Sequence, residues 1–339
     1  MKAAMFAGSG APLRLAEMQR PKAQPGGLVI KVGACGICAS DLHAAEAGMV
    51  AEGNVFGHEY AGEVVEVGPG AEAGWQVGDR LVAIPASPCG ACAACREGTY
   101  MQCEGLILQG FDPRLPGAYA QYASCVGALS MKIPASLADR DAALIEPMAV
   151  GLGAFKAANV PAGASVLVIG AGVIGLSVAK WARFFGAGDV GISEKVPARR
   201  ERAQRAGHDL VIDAAAHANP VAEYQRLTGR VPSVIFECVG RPLMQALIDM
   251  APAGAQIVMV GTGMQPEQVT VVTAALKRLR MTFTLGYEFA DFAFILRMLA
   301  AGRIGTEGLV TATVGLDELP AMFETLQKPN DHCKVLVTP

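Results

Sequence analysis

The sequence predicts an α/β protein of two domains, a β-rich first domain and a second built on a doubly wound parallel sheet of six strands. Two observations carry this. Before about residue 150 short alternating apolar runs are broken by Gly and Pro, and after it apolar strands alternate with segments of helical spacing. At 339 residues the chain is long enough for two separate cores. Its 52 % hydrophobic content, rich in Ala and Gly, suits strands buried on both faces.

The first domain contributes the strand candidates 28–32 (LVIKV), 60–68 (YAGEVVEVG) and 80–84 (RLVAI). Between them and the second domain lies PCGACAACREGTYMQC, with Cys89, Cys92, Cys95 and Cys103. Two-residue gaps within one loop let the thiolates converge on a single tetrahedral Zn2+, the closed all-sulfur coordination of a structural site. Metal binding would fix a loop whose glycines and alanines cannot hold it by packing. A disulfide pair or an iron–sulfur site also fits a Cys-rich loop.

In the second domain, 165–169 reads as a strand and 173–185 as a helix. Ile174, Val178, Trp181, Ala182 and Phe185 share one helical face, and 190–193 follows as the next strand. Strand candidates at 210–212, 233–236, 257–260 and 282–285 bring the count to six. Between the first strand and its helix stands Gly170-Ala-Gly172-Val173-Ile174-Gly175, with Glu194 at the tip of the next strand. Gly170 would permit a tight turn, Gly172 would let the backbone approach a pyrophosphate at the positive end of the helix, and Gly175 would let helix and strand pack closely. Glycines serving a turn without a ligand are the bland reading. Glu194 could accept from both ribose hydroxyls and repel a 2′-phosphate, which favours NAD over NADP. Lys195, Arg199 and Arg200 pull the other way, and Arg199 reads equally as a ribose or adenine contact or a solvated helix charge.

A second candidate metal constellation comprises Cys35-Gly-Ile-Cys38-Ala-Ser40-Asp41-Leu-His43 and Gly57-His58-Glu59. If the two loops meet, they bring thiolate, imidazole and carboxylate to one ion. Taken alone, Cys35 and Cys38 also fit a redox pair or half a zinc knuckle, and His58 a hydrogen-bonded core histidine.

Together with the four-cysteine loop and the dinucleotide motif, these residues resemble the zinc-containing medium-chain dehydrogenases of the alcohol, sorbitol and butanediol type, from Met1 to the terminal Lys334-Val-Leu-Val337. The resemblance implies a GroES-like catalytic domain at 1–148 with a structural zinc lobe at about 86–105, an NAD(P)-binding Rossmann domain at 149–285, and a segment at 286–339 that completes the first domain. The cleft between the domains would hold cofactor and substrate. It implies two Zn2+ per chain. Catalytic zinc would be held by Cys38, His58 and Glu59 or Glu146, the last in Leu144-Ile-Glu-Pro147, and structural zinc by Cys89, Cys92, Cys95 and Cys103. Ser40 would take the substrate proton and pass it through the cofactor ribose to His43, while Glu59 would be an exchanging ligand or would orient His58. Asp41 would cap the helix rather than act as a base.

The implied reaction is oxidation of an alcohol to the ketone, and its reverse, by hydride transfer from a zinc-bound alkoxide to the nicotinamide. The sugar-binding arginine of sorbitol-type members is missing from Leu285-Gly286-Tyr287, and Phe56, Phe111, Tyr119, Met148 and Tyr287 would make an apolar pocket. A cyclic or aliphatic secondary alcohol, or a diol, therefore suits the chain better than a polyol. A zinc-dependent lyase or hydratase has no need of the glycine motif, and a non-enzymatic NAD-bound sensor has no need of the metal and relay residues. Cys35, Cys125, Cys238 and Cys333 read as small buried hydrophobes, and Asp213 and Glu237 as turn or edge acids.

Composition limits the remaining roles. A net charge of −3 without a long Lys/Arg run argues against nucleic acid as a partner. The opening MKAAMFAGSGAPLRLAEM has too short an apolar run for a signal peptide, and no segment has the length of a membrane span. Nine cysteines fit a reducing compartment if one cluster is metal-bound. The reading is a cytoplasmic protein, by resemblance a homo-oligomer of two or four chains, acting on a small alcohol or ketone.

Overall fold

Val166–Ile169 is buried at every position, as a strand of β-branched and aliphatic residues should be when both faces of its sheet are covered. It forms the middle of a six-stranded sheet whose neighbours all run parallel, in the order Val211–Asp213, Val190–Glu194, Val166–Ile169, Val234–Glu237, Gln256–Met259, Arg280–Phe283. Numbered along the chain this is 3-2-1-4-5-6, with the order reversing beside Val166–Ile169. The computed structural model describes residues 1–339. The chain divides into one unit of Met1–Glu146, Glu288–Thr306 and Val310–Pro339, and another of Pro147–Tyr287 with Glu307–Leu309.

Most strand expectations differ from the structure by one residue, but Gly27–Gly36 runs four residues beyond the end of the expected 28–32. The last differs by two: Arg280–Phe283 is the strand, whereas 282–285 was the expected run. That strand lies at the sheet edge with no fully buried residue, so its apolar residues do not dictate which stretch pairs with Gln256–Met259. The helix after the glycine turn runs Val173–Phe184 and buries Val178, Trp181 and Ala182. Ile174 is only half-buried, and Phe185 lies just beyond the helix as its C-cap, stacked on Phe155 at 5.2 Å.

In the first unit, a seven-stranded sheet runs in the order Val310–Val314, Lys334–Val337, Gly27–Gly36, Glu59–Val67, Arg80–Ala83, Ser130–Lys132, with Tyr122–Val126 also paired to Gly27–Gly36. The C-terminal strand pairs antiparallel with the end of Gly27–Gly36, Leu336 opposite Gly36 and Val337 opposite Cys35. This register brings the last residues of the chain beside the loop that carries Cys38. Phe6, Phe56, Tyr60, Tyr119 and Phe323 belong to the core of this unit, with Phe56 packed against Phe6 at 5.5 Å and Phe323 at 6.1 Å. No helix is long and apolar enough to cross a membrane.

Candidate metal and dinucleotide sites

Cys38 is the N-cap of the helix Ala39–Glu46, and its own N–H donates to Asp41 Oδ2 at 3.3 Å in a capping box. His58 stands between Gly57 and the strand Glu59–Val67. Gly57 has φ of +100°, and a Cβ there would lie 2.6 Å from the Tyr119 ring and 2.9 Å from Cys35 Sγ, so only glycine fits this turn. The turn and the helix N-terminus place one ligand atom each of Cys38, His58 and Glu59 within 4.8 Å of one another. Ser40 Oγ donates to Cys38 Sγ at 3.1 Å and lies 3.4 Å from His58 Nε2.

On its other side the imidazole faces a buried carboxylate, with His58 Nδ1 3.1 Å from Asp41 Oδ1. Tyr119 donates to Asp41 Oδ2 at 2.6 Å. Asp41 therefore does more than close the helix: it orients His58, leaving Nε2 for a metal, as the outer partner of a metal-bound histidine does. Burial alone would lower the His58 pKa, yet the charges of Asp41 and Cys38 raise it well above its usual range. The cluster thus favours positive charge at this point, which suits a divalent cation. Within the cluster Glu59 is also tied to a lysine, its Oε1 accepting from Lys334 Nζ at 2.6 Å while Oε2 is buried without a hydrogen-bond partner. Glu146 lies outside the three-residue cluster, at the start of the helix Ile145–Ala157. His43 is exposed one turn beyond Ser40.

The second cluster joins Cys89, Cys92, Cys95 and Cys103, again with ligand atoms within 4.8 Å of one another. Cys92 Sγ and Cys95 Sγ are 3.5 Å apart, Cys89 and Cys95 Sγ 3.9 Å apart, and Cys89 N donates to Cys103 Sγ at 3.3 Å. The short helix Ala93–Glu97 between them buries no residue, so packing does little to hold this lobe. Backbone N–H groups of Ala91 and Cys92 lower the Cys89 pKa to about 6, which favours the thiolate a metal needs.

In the second unit, Gly170 has φ of +101° and Gly172 caps the helix Val173–Phe184 with open space where a Cβ would point. A Cβ on Gly175 would overlap the carbonyl oxygen of Gly170. The first-turn N–H groups, including those of Val173 and Ile174, face the helix N-terminus, the place for a pyrophosphate. Glu194 Oε2 accepts from Ala171 N at 2.9 Å, and Oε1 from Lys195 N at 2.7 Å and Val196 N at 2.9 Å, so this side chain also shapes the glycine turn. Arg200 is committed to Asp213, at 2.8 Å, and to the Glu194 and Lys195 carbonyls, while Arg199 is half-buried on the same helix, Pro197–Arg205. Glu237, an expected turn acid, is fully buried and accepts from Val239 N and Gly240 N. On the far side of the switch point, a cavity of about 450 Å³ is lined by Met259, Gly261, Thr262, Glu267, Thr284 and Leu285 among others.

Three residues of the expected apolar pocket are fully buried. Phe56 and Tyr119 are fully buried core residues of the first unit, and the Tyr119 hydroxyl is spent on Asp41. Met148 is fully buried, its carbonyl accepting from Trp181 Nε1 at 2.9 Å and Ser177 Oγ at 3.2 Å. A fully buried side chain presents no surface to a ligand. Phe111 is half-buried with its ring centroid 5.4 Å from that of His58, and Tyr287 keeps 7 % exposure.

A dinucleotide turn on a doubly wound sheet, with a Cys–His–Glu cluster and a four-cysteine lobe in a β-rich unit, defines a metal-assisted nicotinamide-dependent oxidoreductase. The family model for the alcohol dehydrogenase GroES-like domain matches residues 24–135, and that for a zinc-binding dehydrogenase matches residues 173–301. Sorbitol dehydrogenase of Bacillus subtilis (strain 168) is 32 % identical over 92 % of this chain and 90 % of its own length. (R,R)-butanediol dehydrogenase of the same strain is 32 % identical over 96 % of each. The crystal structure of 2R,3R-butanediol dehydrogenase from Bacillus subtilis superposes with a TM-score of 0.88 at 30 % identity, covering 100 % of this chain and 99 % of that one. The chain belongs to the zinc-dependent medium-chain dehydrogenase family, as an alcohol dehydrogenase whose cofactors are zinc and NAD(P).

Proposed function

We propose that this enzyme interconverts a cyclic or aliphatic secondary alcohol, diols included, and the ketone, with NAD as the preferred coenzyme. The observation that carries the reading is the grouping of Cys38, Ser40, His58 and Glu59 around one point, with the Phe111 ring against His58. Cys38 and His58 would hold the catalytic zinc with Glu59 or Glu146, and Cys89, Cys92, Cys95 and Cys103 the structural zinc. Bound there, catalytic zinc supplies the Lewis acidity that makes a hydroxyl acidic near neutral pH. Asp41 keeps the His58 tautomer. Ser40 would accept the alcohol proton and His43 return it to solvent, and a bound nicotinamide would supply the acceptor for the hydride. The relatives are named for sorbitol and butanediol, compounds that carry secondary hydroxyls, which supports the class. The test is zinc content per chain together with NAD reduction across cyclic alcohols, aliphatic secondary alcohols, diols and polyols. We expect about two zinc ions and at least a tenfold higher kcat/KM for a cyclic or aliphatic secondary alcohol or diol than for sorbitol or xylitol. A higher value for the polyols rejects the apolar reading.

The NAD preference is supported by Glu194 and Asp213, acids at the ends of adjacent strands, and by the commitment of Arg200 to Asp213. The cavity beyond the switch point suits the nicotinamide half of the coenzyme. Glu194→Ser is expected to shift the NADP/NAD ratio of kcat/KM by about tenfold toward NADP. An unchanged ratio rejects the ribose contact.

The metal-ligating thiols point to a reducing compartment, the cytoplasm. We further infer a homo-oligomer, a dimer or a pair of dimers, through the sheet edge. Arg280–Phe283 has a single strand neighbour, and Phe283, Leu285 and Leu276 are 69 %, 81 % and 80 % exposed beside it. Phe283→Asp with Leu276→Asp should lower the sedimenting mass to that of one chain or halve that of a tetramer; an unchanged mass places the interface elsewhere.

A further inference from the structure

We propose that Lys334 is a positioning residue of the metal centre, holding Glu59 back from the open coordination position of the metal. The inference rests on the assignment of Cys38 and His58 to the catalytic zinc, with Glu59 beside it. Lys334 opens the strand Lys334–Val337 and is 275 residues from Glu59 in sequence. It is only 2 % exposed, and its Nζ donates to Glu59 Oε1 at 2.6 Å and to the Ile37 carbonyl at 2.8 Å. The second bond fixes it to the backbone immediately before Cys38. Glu59 lies over Gly36, where any Cβ would overlap Oε2, so the absence of a side chain there makes room for the carboxylate beside Lys334. Oε2 is buried and has no hydrogen-bond partner, and a Glu59 oxygen lies within 4.8 Å of the ligand atoms of Cys38 and His58.

The carboxylate therefore has a choice of two cations. While the ammonium holds one oxygen and cancels the charge of Glu59, the carboxylate is a weak competitor for the metal, and a coordination position stays open for substrate. Without the ammonium, the full charge of Glu59 is free to bind the metal, which would be held more tightly and left less acidic. Without the carboxylate, an unbalanced ammonium sits beside the metal and drives it out.

The experiment measures zinc release to a chelator and the d–d absorption of the Co2+-substituted protein for the full chain and four variants. Lys334→Met is expected to slow release of the catalytic zinc at least tenfold and to move the Co2+ band. Glu59→Gln is expected to speed release at least tenfold, and Lys334→Met with Glu59→Gln to return it to within about threefold of the parent protein. Lys334→Arg, which keeps the charge, should retain the parent Co2+ band. A merely structural lysine would loosen the metal in both single variants and again, additively, in the double variant; that pattern, or an unmoved Co2+ band in Lys334→Met, overturns the proposal. Should Lys334→Met fail to fold, slower release from the double variant than from Glu59→Gln still supports it, and equal or faster release overturns it. Two zinc ions in the parent protein with an additive cycle sink only the role of Lys334. A single zinc, held by the cysteine lobe, sinks the assignment of the catalytic site as well.

Discussion

Cys38→Ser should lower kcat by at least about 10³-fold while leaving NAD affinity within about threefold of the parent protein. The sulfur of Cys38 would contribute one of the few ligands proposed for the metal, and a serine hydroxyl at the same N-cap binds zinc poorly. The helix itself should survive, because serine is a better N-cap than cysteine and Asp41 still closes the capping box. The defect is therefore confined to the metal. The Asp41–His58 pair and the Ser40 hydroxyl remain, but Ser40 loses its present acceptor, Cys38 Sγ. The measurements are metal content, steady-state rate with the best alcohol, and coenzyme binding followed by nicotinamide fluorescence. Loss of one zinc of two with retained coenzyme binding is the expected pattern. Turnover within tenfold of the parent would remove Cys38 from the ligand set.

What the sequence made legible follows the range of the interactions involved. The four-cysteine loop spans 15 residues, so spacing alone brings Cys89 to Cys103 together. The glycine turn is equally local, and the strand–turn–helix pattern around Gly170 to Gly175 predicts its own geometry. The partners of the Cys–His–Glu cluster were harder to foresee because they are set by tertiary packing. Asp41 reads as a helix-start acid, yet the turn at Gly57 swings His58 against it. Tyr119 reads as a pocket aromatic, but 78 residues separate it from the Asp41 that takes its hydroxyl bond. Lys334 carries one signal: a lysine beginning an apolar run that is buried at all four positions is a charge that must find a partner. The edge strand is poorly legible for the opposite reason, since exposure removes the burial pattern that would fix its register.

Gly175→Ala should raise the coenzyme KM at least about 100-fold, the counterpart of the cysteine change in the other unit. The added methyl would overlap the Gly170 carbonyl oxygen and lie 3.3 Å from Val168 Cγ1, so the turn must move away from the helix. That turn has little freedom. Gly170 N donates to the Ser193 carbonyl at 2.8 Å and Ala171 N to Glu194 Oε2 at 2.9 Å, so one displacement strains the strand pairing and shifts the acid proposed to hold the ribose. Overpacking of this kind typically costs about 1–3 kcal/mol of stability, which a domain can survive. Both clusters proposed to hold zinc lie in the first unit and share no residue with the turn, so about two zinc ions per chain should remain. Retained zinc with lost coenzyme affinity separates a damaged pyrophosphate turn from general unfolding, which would release metal as well. A coenzyme KM within threefold of the parent would mean that the helix N-terminus does not receive the pyrophosphate. Such a result would leave Gly175 as a packing glycine, and the dinucleotide would have to be held from the Glu194 side and the cavity beyond the switch point alone.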